Sequence, residues 1–175
     1  IGKRIIGAIA ATLGTGLALQ VAVSTISYVG MAIGAIFSED IRSDMNRIHW
    51  NPFNSDEELV LKSKYVSFYK GVPVFRIGGN RSGTFGGIFL TRETNYRSNA
   101  VGILKHEWGH SVQQIILGPI IFFIGIALPS AGEWQKDKWG DYYLSPWEIT
   151  ADMIGGVDNS SVGQTELARK RGVSY

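Results

Sequence analysis

The stretch ILKHEWGHSVQQIILG, residues 103–118, contains two histidines four positions apart, His106 and His110, and a carboxylate between them, Glu107. Residues i and i+4 of a helix lie on one face, with their Cβ atoms about 5–6 Å apart. The two histidines can therefore each offer a ring nitrogen to one metal ion. Glu107 is turned about 100° around the helix, so we expect it beside the ion, where it can act as a base toward water. The pattern predicts an active-site helix.

The residues around the motif are consistent with a helix. Ser98 and Asn99 are candidate N-caps, and Gly118 followed by Pro119 predicts the C-terminal end. A glycine in the middle of a helix, here Gly109, costs about 1 kcal/mol relative to alanine. We therefore expect another backbone to pass close to Gly109.

Composition limits what the metal ligands can be. The chain of 175 residues is 45% hydrophobic and has no cysteine, which predicts a folded core and excludes disulfides and thiolate ligands. Any zinc must therefore be held by His, Asp or Glu. The formal net charge of +2 is too small to favour binding of nucleic acid, so we expect none.

A catalytic zinc site requires a third protein ligand and leaves its fourth position to water. No histidine follows His110, so this ligand must be a carboxylate if it lies further along the chain. Glu148 is the best candidate, and Glu133 and Asp141 compete with it. Asp152 lies four residues after Glu148 on the same helical face, where it can accept the outer N–H of a ligand histidine. The alternative is a solvent-exposed acidic face of a surface helix.

Glu148 and Asp152 belong to SPWEITADMIGG, residues 145–156, which predicts a helix. Ser145 is the expected cap, Pro146 occupies the first helical position, and the glycine pair ends the helix. Before the motif helix we expect three strands, near 64–69, 72–77 and 84–91, in a small antiparallel sheet. Lys70-Gly71 predicts a hairpin turn and GGNRSG, 78–83, a glycine loop.

The N-terminal part of the sequence is apolar. From Ile5 to Phe37 there is no Asp, Glu, Lys or Arg, and about 20 apolar residues suffice for a transmembrane helix. The alternative is a pair of short helices buried against a partner or a carrier chain. Gly30 and Gly34 form a small-xxx-small pair suited to helix packing. We expect an apolar, Gly-rich helical leader in residues 1–40, for which a membrane segment is one interpretation, and a zincin-like catalytic domain in residues 41–175.

A second apolar run, IIFFIGIALPSAG, covers residues 120–132. With 13 residues, and with Gly125 and Pro129 inside, it is too short to span a membrane alone. A buried helix, a loop wall and a segment that dips into a membrane are the three interpretations.

Together, HEWGH and PWEITAD resemble the gluzincin pattern of H-E-x-x-H followed by E-x-x-x-D. More narrowly, GILKHEWGHSVQ, LGPII, ALPS and PWEITADMIGG resemble the zincin-like metallopeptidase domains at the C-termini of bacterial polymorphic toxins, including Rhs/YD-repeat proteins. The resemblance covers roughly residues 50–157. It implies an α+β zincin-like fold with a small antiparallel or mixed sheet, Zn²⁺ on His106, His110 and Glu148, Glu107 as base, and Asp152 behind a ligand histidine.

The resemblance also implies a biological setting. Domains of this kind are released from a larger carrier chain, delivered into a target cell and neutralised by an immunity protein. The implied reaction is zinc-dependent hydrolysis of a peptide bond in a protein or peptide substrate.

Three residues are candidates for stabilising the transition state: His49, Tyr142 and Tyr143. Phenols and imidazoles are chemically suitable donors to an oxyanion, and the sequence does not select among them.

Two other interpretations fit the same sequence. One is a membrane-embedded metalloprotease similar to the CAAX prenyl-protease and heat-shock membrane protease group. It requires that 5–37 and 115–131 both enter lipid. The other is a pore-forming or membrane-binding effector with a structural zinc site, for which a fourth protein ligand is expected.

Overall fold

The computed structural model describes residues 2–48, 51–79, 82–91, 94, 100–131 and 145–157. The fold is α+β, with a small mixed sheet and an apolar N-terminal helix. Its elements in chain order are α1 (Gly2–Phe37), α2 (Glu39–Ile48), α3 (Glu57–Leu61), β1 (Val66–Tyr69), β2 (Val72–Ile77), β3 (Gly83–Thr84), β4 (Ile88–Thr91), α4 (Ala100–Leu117), α5 (Pro119–Phe122), a π-helical turn (Phe123–Ala127), α6 (Leu128–Ala131) and α7 (Pro146–Gly155).

The sheet has the strand order β1-β2-β4-β3. The hairpin predicted at Lys70-Gly71 is confirmed: both residues have positive φ, 47° and 84°, and β1 and β2 pair antiparallel. Positive φ at both central residues gives the turn a twist that matches the right-handed twist of the flanking strands.

Of the antiparallel or mixed sheet that was expected, the structure has the mixed form, because β4 pairs parallel with β2. The prediction of a single strand over 84–91 is wrong. Gly86, with φ of 68°, reverses the chain at residues 85–87, and Phe85 N–H donates to Gly87 carbonyl at 3.0 Å. The two halves become β3 and β4, an antiparallel pair in which β4 lies next to β2.

Helix α4 packs on one face of this sheet. Tyr69, Val74 and Ile88 from the strands are fully buried with Leu104 of α4 in the main core cluster. Phe68, the neighbour of Tyr69, is also fully buried but packs with Met31 of α1 and Met45 of α2. Because successive residues of a strand point to opposite faces, α4 covers one face of β1 and α1 with α2 covers the other.

The leader is one continuous helix, not a pair of short ones. It crosses α4 at Gly16, where a Cβ atom would overlap the carbonyl oxygen of Ile115. Further along, Ser24 Oγ donates to the carbonyl of Gly71 at 3.0 Å. Of the glycine pair expected to pack helices, Gly34 lies against the side chain of Ile41, whereas Gly30 has no neighbour within 4 Å of a Cβ position.

Much of the surface of α1 that faces away from the domain is apolar. Among the described residues, α1 is the one helix long and apolar enough to cross a membrane by length and composition, and a signal sequence has the same properties. Its exposed large apolar side chains are Ile6, Leu13, Leu17, Val21, Ile26, Val29, Ile33, Ile36 and Phe37.

The second apolar run is helical. Helix α4 ends at Leu117, as predicted from Gly118 and Pro119, and Pro119 begins α5. Gly118, with φ of 75°, lies against Thr12 of α1, so α5 adjoins the leader. The apolar side chains that α5, the π turn and α6 leave exposed are Ile120, Ile121, Phe123, Ile124 and Leu128.

Candidate metal site

The site lies where α4 and α7 cross at backbone distance. A Cβ on Gly109 of α4 would overlap the carbonyl oxygen of Ala151, and a Cβ on Gly155 of α7 would overlap that of Lys105. The expectation that a second backbone passes close to Gly109 is therefore confirmed. Because two glycines let the helices touch, the side chain of Glu148 on α7 reaches His106 and His110 of α4.

Three ligand atoms form a nearly equilateral triangle. The distance from His106 Nε2 to Glu148 Oε2 is 3.0 Å, and that from His110 Nε2 to the same oxygen is 3.1 Å. The two Nε2 atoms are 3.1 Å apart. The Glu148 side chain has no exposed surface. A carboxylate held away from water requires compensating positive charge, and this group of three can hold a metal ion.

The triangle has the size that a small divalent ion requires. Nitrogen and carboxylate ligands bound at about 2.0–2.2 Å in a tetrahedral arrangement lie roughly 3.3 Å apart. The observed separations of 3.0–3.1 Å are within a few tenths of an ångström of that value. The donor set of two imidazoles and one carboxylate therefore fits such an ion.

Each histidine is fixed from behind by its own partner. His106 Nδ1 lies 2.7 Å from Asp152 Oδ1. A carboxylate accepts a hydrogen bond, so this contact places a proton on Nδ1 and directs Nε2 at the triangle. Asp152 is 4% exposed. It lies one helical turn after Glu148 on α7. The same face of α7 therefore carries a candidate ligand, Glu148, and the residue that forms a hydrogen bond with His106.

His110 has a different partner, Gln113. His110 Nδ1 lies 2.8 Å from Gln113 Oε1, and the amide nitrogen of Gln113 donates to the carbonyl of Trp147 at 2.8 Å. Gln113 is thus hydrogen-bonded to His110 of α4 and to the backbone of α7, one residue before Glu148. The sequence shows that Gln113 lies three residues after His110, in HSVQ. It does not show that Gln113 also contacts α7.

Glu107 lies next to the triangle and is 6% exposed. The hydroxyl of Thr84, in β3, is 2.8 Å from Glu107 Oε2 and 2.9 Å from the carbonyl oxygen of the same residue, so its one proton is available to either. Gly86, two residues on, donates its N–H to Gln114 Oε1 at 2.9 Å and ties this turn to α4. Nothing in the sequence around Thr84 indicated this contact.

Burial and charge act in opposite directions on the ligand groups when no metal is bound. Burial disfavours the charged form of His106, but its hydrogen bonds with Asp152 and Glu148, together with the charge of Glu107, raise its pKa to about 10. Burial also works against ionisation of Glu148. The contacts of its carboxylate with His106 and His110 outweigh burial and hold the pKa of Glu148 well below its usual range.

The structure brings together five of the residues singled out from the sequence: His106, Glu107, His110, Glu148 and Asp152. Outside the described residues lie His49, Tyr142 and Tyr143, the candidates for stabilising the transition state, and Glu133 and Asp141, the competing ligands.

An aromatic side chain borders the site on the side of α5. The ring of Phe122, which is buried, lies 6.2 Å from the ring of His110, centroid to centroid. The next residue, Phe123, is partly exposed and contacts Phe85 of the β3–β4 turn at 5.6 Å. The apolar segment that adjoins α1 is therefore also part of the wall of the site.

Comparison of the chain with protein-family models, with curated protein sequences and with solved structures gave no match.

Proposed function

We propose that this protein is a zinc metallopeptidase of the zincin type, with His106, His110 and Glu148 as metal ligands and Glu107 as the catalytic base. The observation that carries the proposal is the buried triangle of His106 Nε2, His110 Nε2 and Glu148 Oε2, with sides of 3.0–3.1 Å. Three protein ligands leave one tetrahedral position for water or substrate, as hydrolytic zinc sites require.

The surrounding residues have distinct tasks in this mechanism. A bound Zn²⁺ supplies a Lewis acid that polarises the carbonyl of the scissile bond and acidifies water. Glu107 accepts the proton of the attacking water and passes it to the leaving amine. A hydrogen bond from Thr84 to Glu107 Oε2 orients the carboxylate and leaves its other oxygen free to accept that proton.

The same donor set also occurs in non-haem Fe(II) oxygenases. Glu107 favours hydrolysis, because it is a buried carboxylate beside the triangle that is not one of the three ligands. Elemental analysis of protein purified without added metal, followed by reconstitution with Zn²⁺ or Fe²⁺, distinguishes the two. Peptide cleavage restored by Zn²⁺ supports the proposal, and activity restored by Fe²⁺ alone contradicts it.

The substrate class and the biological role rest on the sequence resemblance. HEWGH with PWEITAD, in the order and spacing of toxin-associated zincin-like domains, supports a peptidase that is part of a larger bacterial chain. In this proposal the domain cleaves a protein inside a target cell, and a dedicated immunity protein protects the producing cell.

Membrane contact is part of the proposal, and the arrangement of α1 indicates its form. Helix α1 packs along the domain, on α4 at Gly16, on the hairpin at Ser24 and on β1 at Met31. A perpendicular crossing would carry the sheet into the hydrocarbon. A helix that lies in the membrane surface, with its outer apolar side in lipid, keeps these contacts.

The segment 119–128 leaves apolar side chains exposed next to the site, which favours one further candidate function. A membrane metalloprotease similar to the CAAX prenyl-protease group would cleave substrates at or within the bilayer. Under that alternative, depth-dependent quenching places both α1 and residues 120–128 inside the hydrocarbon core. Under the main proposal, residues 120–128 reach no deeper than the headgroup region.

Replacement of Glu107 by glutamine tests the peptidase. Glu107→Gln keeps size and hydrogen bonding but removes the base, so it should bind zinc like the wild type while cleavage falls by at least about 10²-fold. Glu58→Gln, on an exposed side chain of α3, is the matched control. Mapping of cleaved peptides in a proteome digest gives both the readout and the substrate preference.

Toxicity on expression separates the peptidase from a pore-forming effector. Loss of toxicity in Glu107→Gln, with toxicity kept in Glu58→Gln, supports the enzyme. Undiminished toxicity in Glu107→Gln, joined to leakage of dye from vesicles, contradicts it.

A further inference from the structure

Gln113 is a buried amide whose two ends bond to different helices. Its side-chain oxygen lies 2.8 Å from Nδ1 of His110 on α4, and its nitrogen donates to the carbonyl of Trp147 on α7 at 2.8 Å. The residue is 5% exposed, and an amide buried in this way is expected to have hydrogen-bond partners.

The contact with Trp147 fixes the orientation of the amide. A backbone carbonyl can only accept, so the atom of Gln113 that faces it must be the NH₂ group. The oxygen then faces His110 and can only accept, which places the proton of His110 on Nδ1. Nε2 is left with a free lone pair that points at His106 Nε2 and Glu148 Oε2, 3.1 Å from each.

The two histidines therefore differ in what holds them. His106 is held by a carboxylate, Asp152, and His110 by a neutral amide that is itself anchored to the backbone next to the third ligand. A rotation of α7 that moved Glu148 would also move the Trp147 carbonyl and disturb the amide. The geometry couples the orientation of His110 to the position of the helix that carries Glu148.

We propose that Gln113 is a positioning residue of the metal site, which selects the Nδ1–H tautomer of His110 before metal binds and fixes α7 against α4. The inference rests on the metal site of the proposed function but not on peptidase activity, since its readouts are metal affinity and tautomer. A chain that binds zinc and cleaves no peptide would leave it intact.

Two variants test the role of the amide. Gln113→Met keeps a long side chain but removes both hydrogen bonds, and zinc affinity measured against a chelating dye should fall roughly 10–100-fold. Gln113→Glu keeps the acceptor for His110 and loses the donor to Trp147. Its zinc affinity should therefore lie within about threefold of the wild-type value, while the protein should unfold at a lower temperature.

Gln114→Met is the matched control. Gln114 is the adjacent glutamine, is fully buried, and accepts from Gly86 N–H away from the triangle. Its replacement should lower thermal stability and leave zinc affinity within about threefold of the wild type, the same margin that defines rescue. Equal losses of affinity in Gln113→Met and Gln114→Met would overturn the proposal, and so would a loss in Gln113→Glu as large as in Gln113→Met.

A measurement on the wild type covers the case in which Gln113→Met does not fold. Long-range ¹H–¹⁵N NMR of the metal-free protein should show the proton of His110 on Nδ1, because Gln113 selects that tautomer without metal. A metal-free protein in which neutral His110 carries its proton on Nε2 refutes the inference.

Discussion

Asp152 Oδ1 lies 2.7 Å from His106 Nδ1, on the side of the imidazole away from the metal-binding triangle. The aspartate thereby fixes both the ring orientation and the position of its proton, and Nε2 faces Glu148 Oε2 at 3.0 Å. One face of α7 thus carries Glu148, a candidate ligand, and the aspartate that orients His106, another candidate ligand.

If this hydrogen bond prepares His106 for metal, Asp152→Ala should cost roughly 10–100-fold in zinc affinity. Asp152→Asn should be milder, because the amide oxygen can still accept the imidazole N–H. Zinc affinity is measured by competition with a chelator. Asp40→Ala, whose partner is Lys64 on the surface, is the control and should change affinity by less than about threefold, since surface pairs contribute about 0–1 kcal/mol to stability. Equal affinities of Asp152→Ala and wild type would contradict this role.

The ligand assignment predicts one metal ion per chain and its loss in three variants. His106→Ala, His110→Ala and Glu148→Ala should each lose zinc after dialysis, as seen by elemental analysis. A protein in which Glu133→Ala or Asp141→Ala loses zinc and Glu148→Ala does not would show that the third ligand lies elsewhere.

Metal binding should release protons even at pH 8. His106 without metal has a pKa raised to about 10, so at pH 8 it carries a proton on each ring nitrogen, and an ion must displace the one on Nε2. We expect about one proton released per zinc, seen by calorimetry in two buffers of different ionisation enthalpy.

The raised pKa of His106 also predicts how the stability of the metal-free protein depends on pH. Folding raises the pKa of His106 from 6.5, so the stabilisation from its charged form is fully present below pH 6.5 and is lost as the pH rises through about 10. Thermal melts of chelator-treated protein from pH 6 to 10 measure it. A free energy of unfolding that rises with pH over this range would contradict the assignment.

Gly109→Ala should separate α4 from α7. Its methyl group would overlap the carbonyl of Ala151, and overpacking of this kind costs about 1–3 kcal/mol or more. Because the triangle spans both helices, zinc affinity should fall together with stability. Gly30→Ala is the control: its Cβ has no neighbour within 4 Å, so it should stabilise α1 by up to about 1 kcal/mol. Denaturant unfolding with a zinc assay tests both.

Flotation with phospholipid vesicles tests the apolar outer side of α1. Val29→Glu and Ile33→Glu place charges on exposed apolar positions, so together they should reduce vesicle binding at least tenfold if this side enters lipid. Phe53→Glu, on an exposed side chain elsewhere, should leave binding unchanged. Unchanged binding of the α1 variant would indicate that another surface, or none, contacts the membrane.

Features that depend on residues within a few positions of each other were predictable from the sequence. They include the spacing of His106 and His110, the start of α7 at Pro146 and the chain reversal at Lys70-Gly71. The period of a helix places Glu148 and Asp152 on one face of α7. The close contact at Gly109 could be anticipated. Glycine in the middle of a helix lowers the stability of the helix, and the close approach of another backbone explains why it occurs there.

The contacts between segments far apart in the chain were decided only by the tertiary structure. The parallel pairing of β2 with β4, the hydrogen bond from Thr84 to Glu107 and the contact of Gln113 with Trp147 join residues up to 34 positions apart. No local period encodes them, because such pairs form only when burial of the whole core repays the entropy of closing long loops. The sequence thus determined the chemical groups of the site and their spacing along each helix, and the packing of α4, α7 and β3 decided which groups lie behind them.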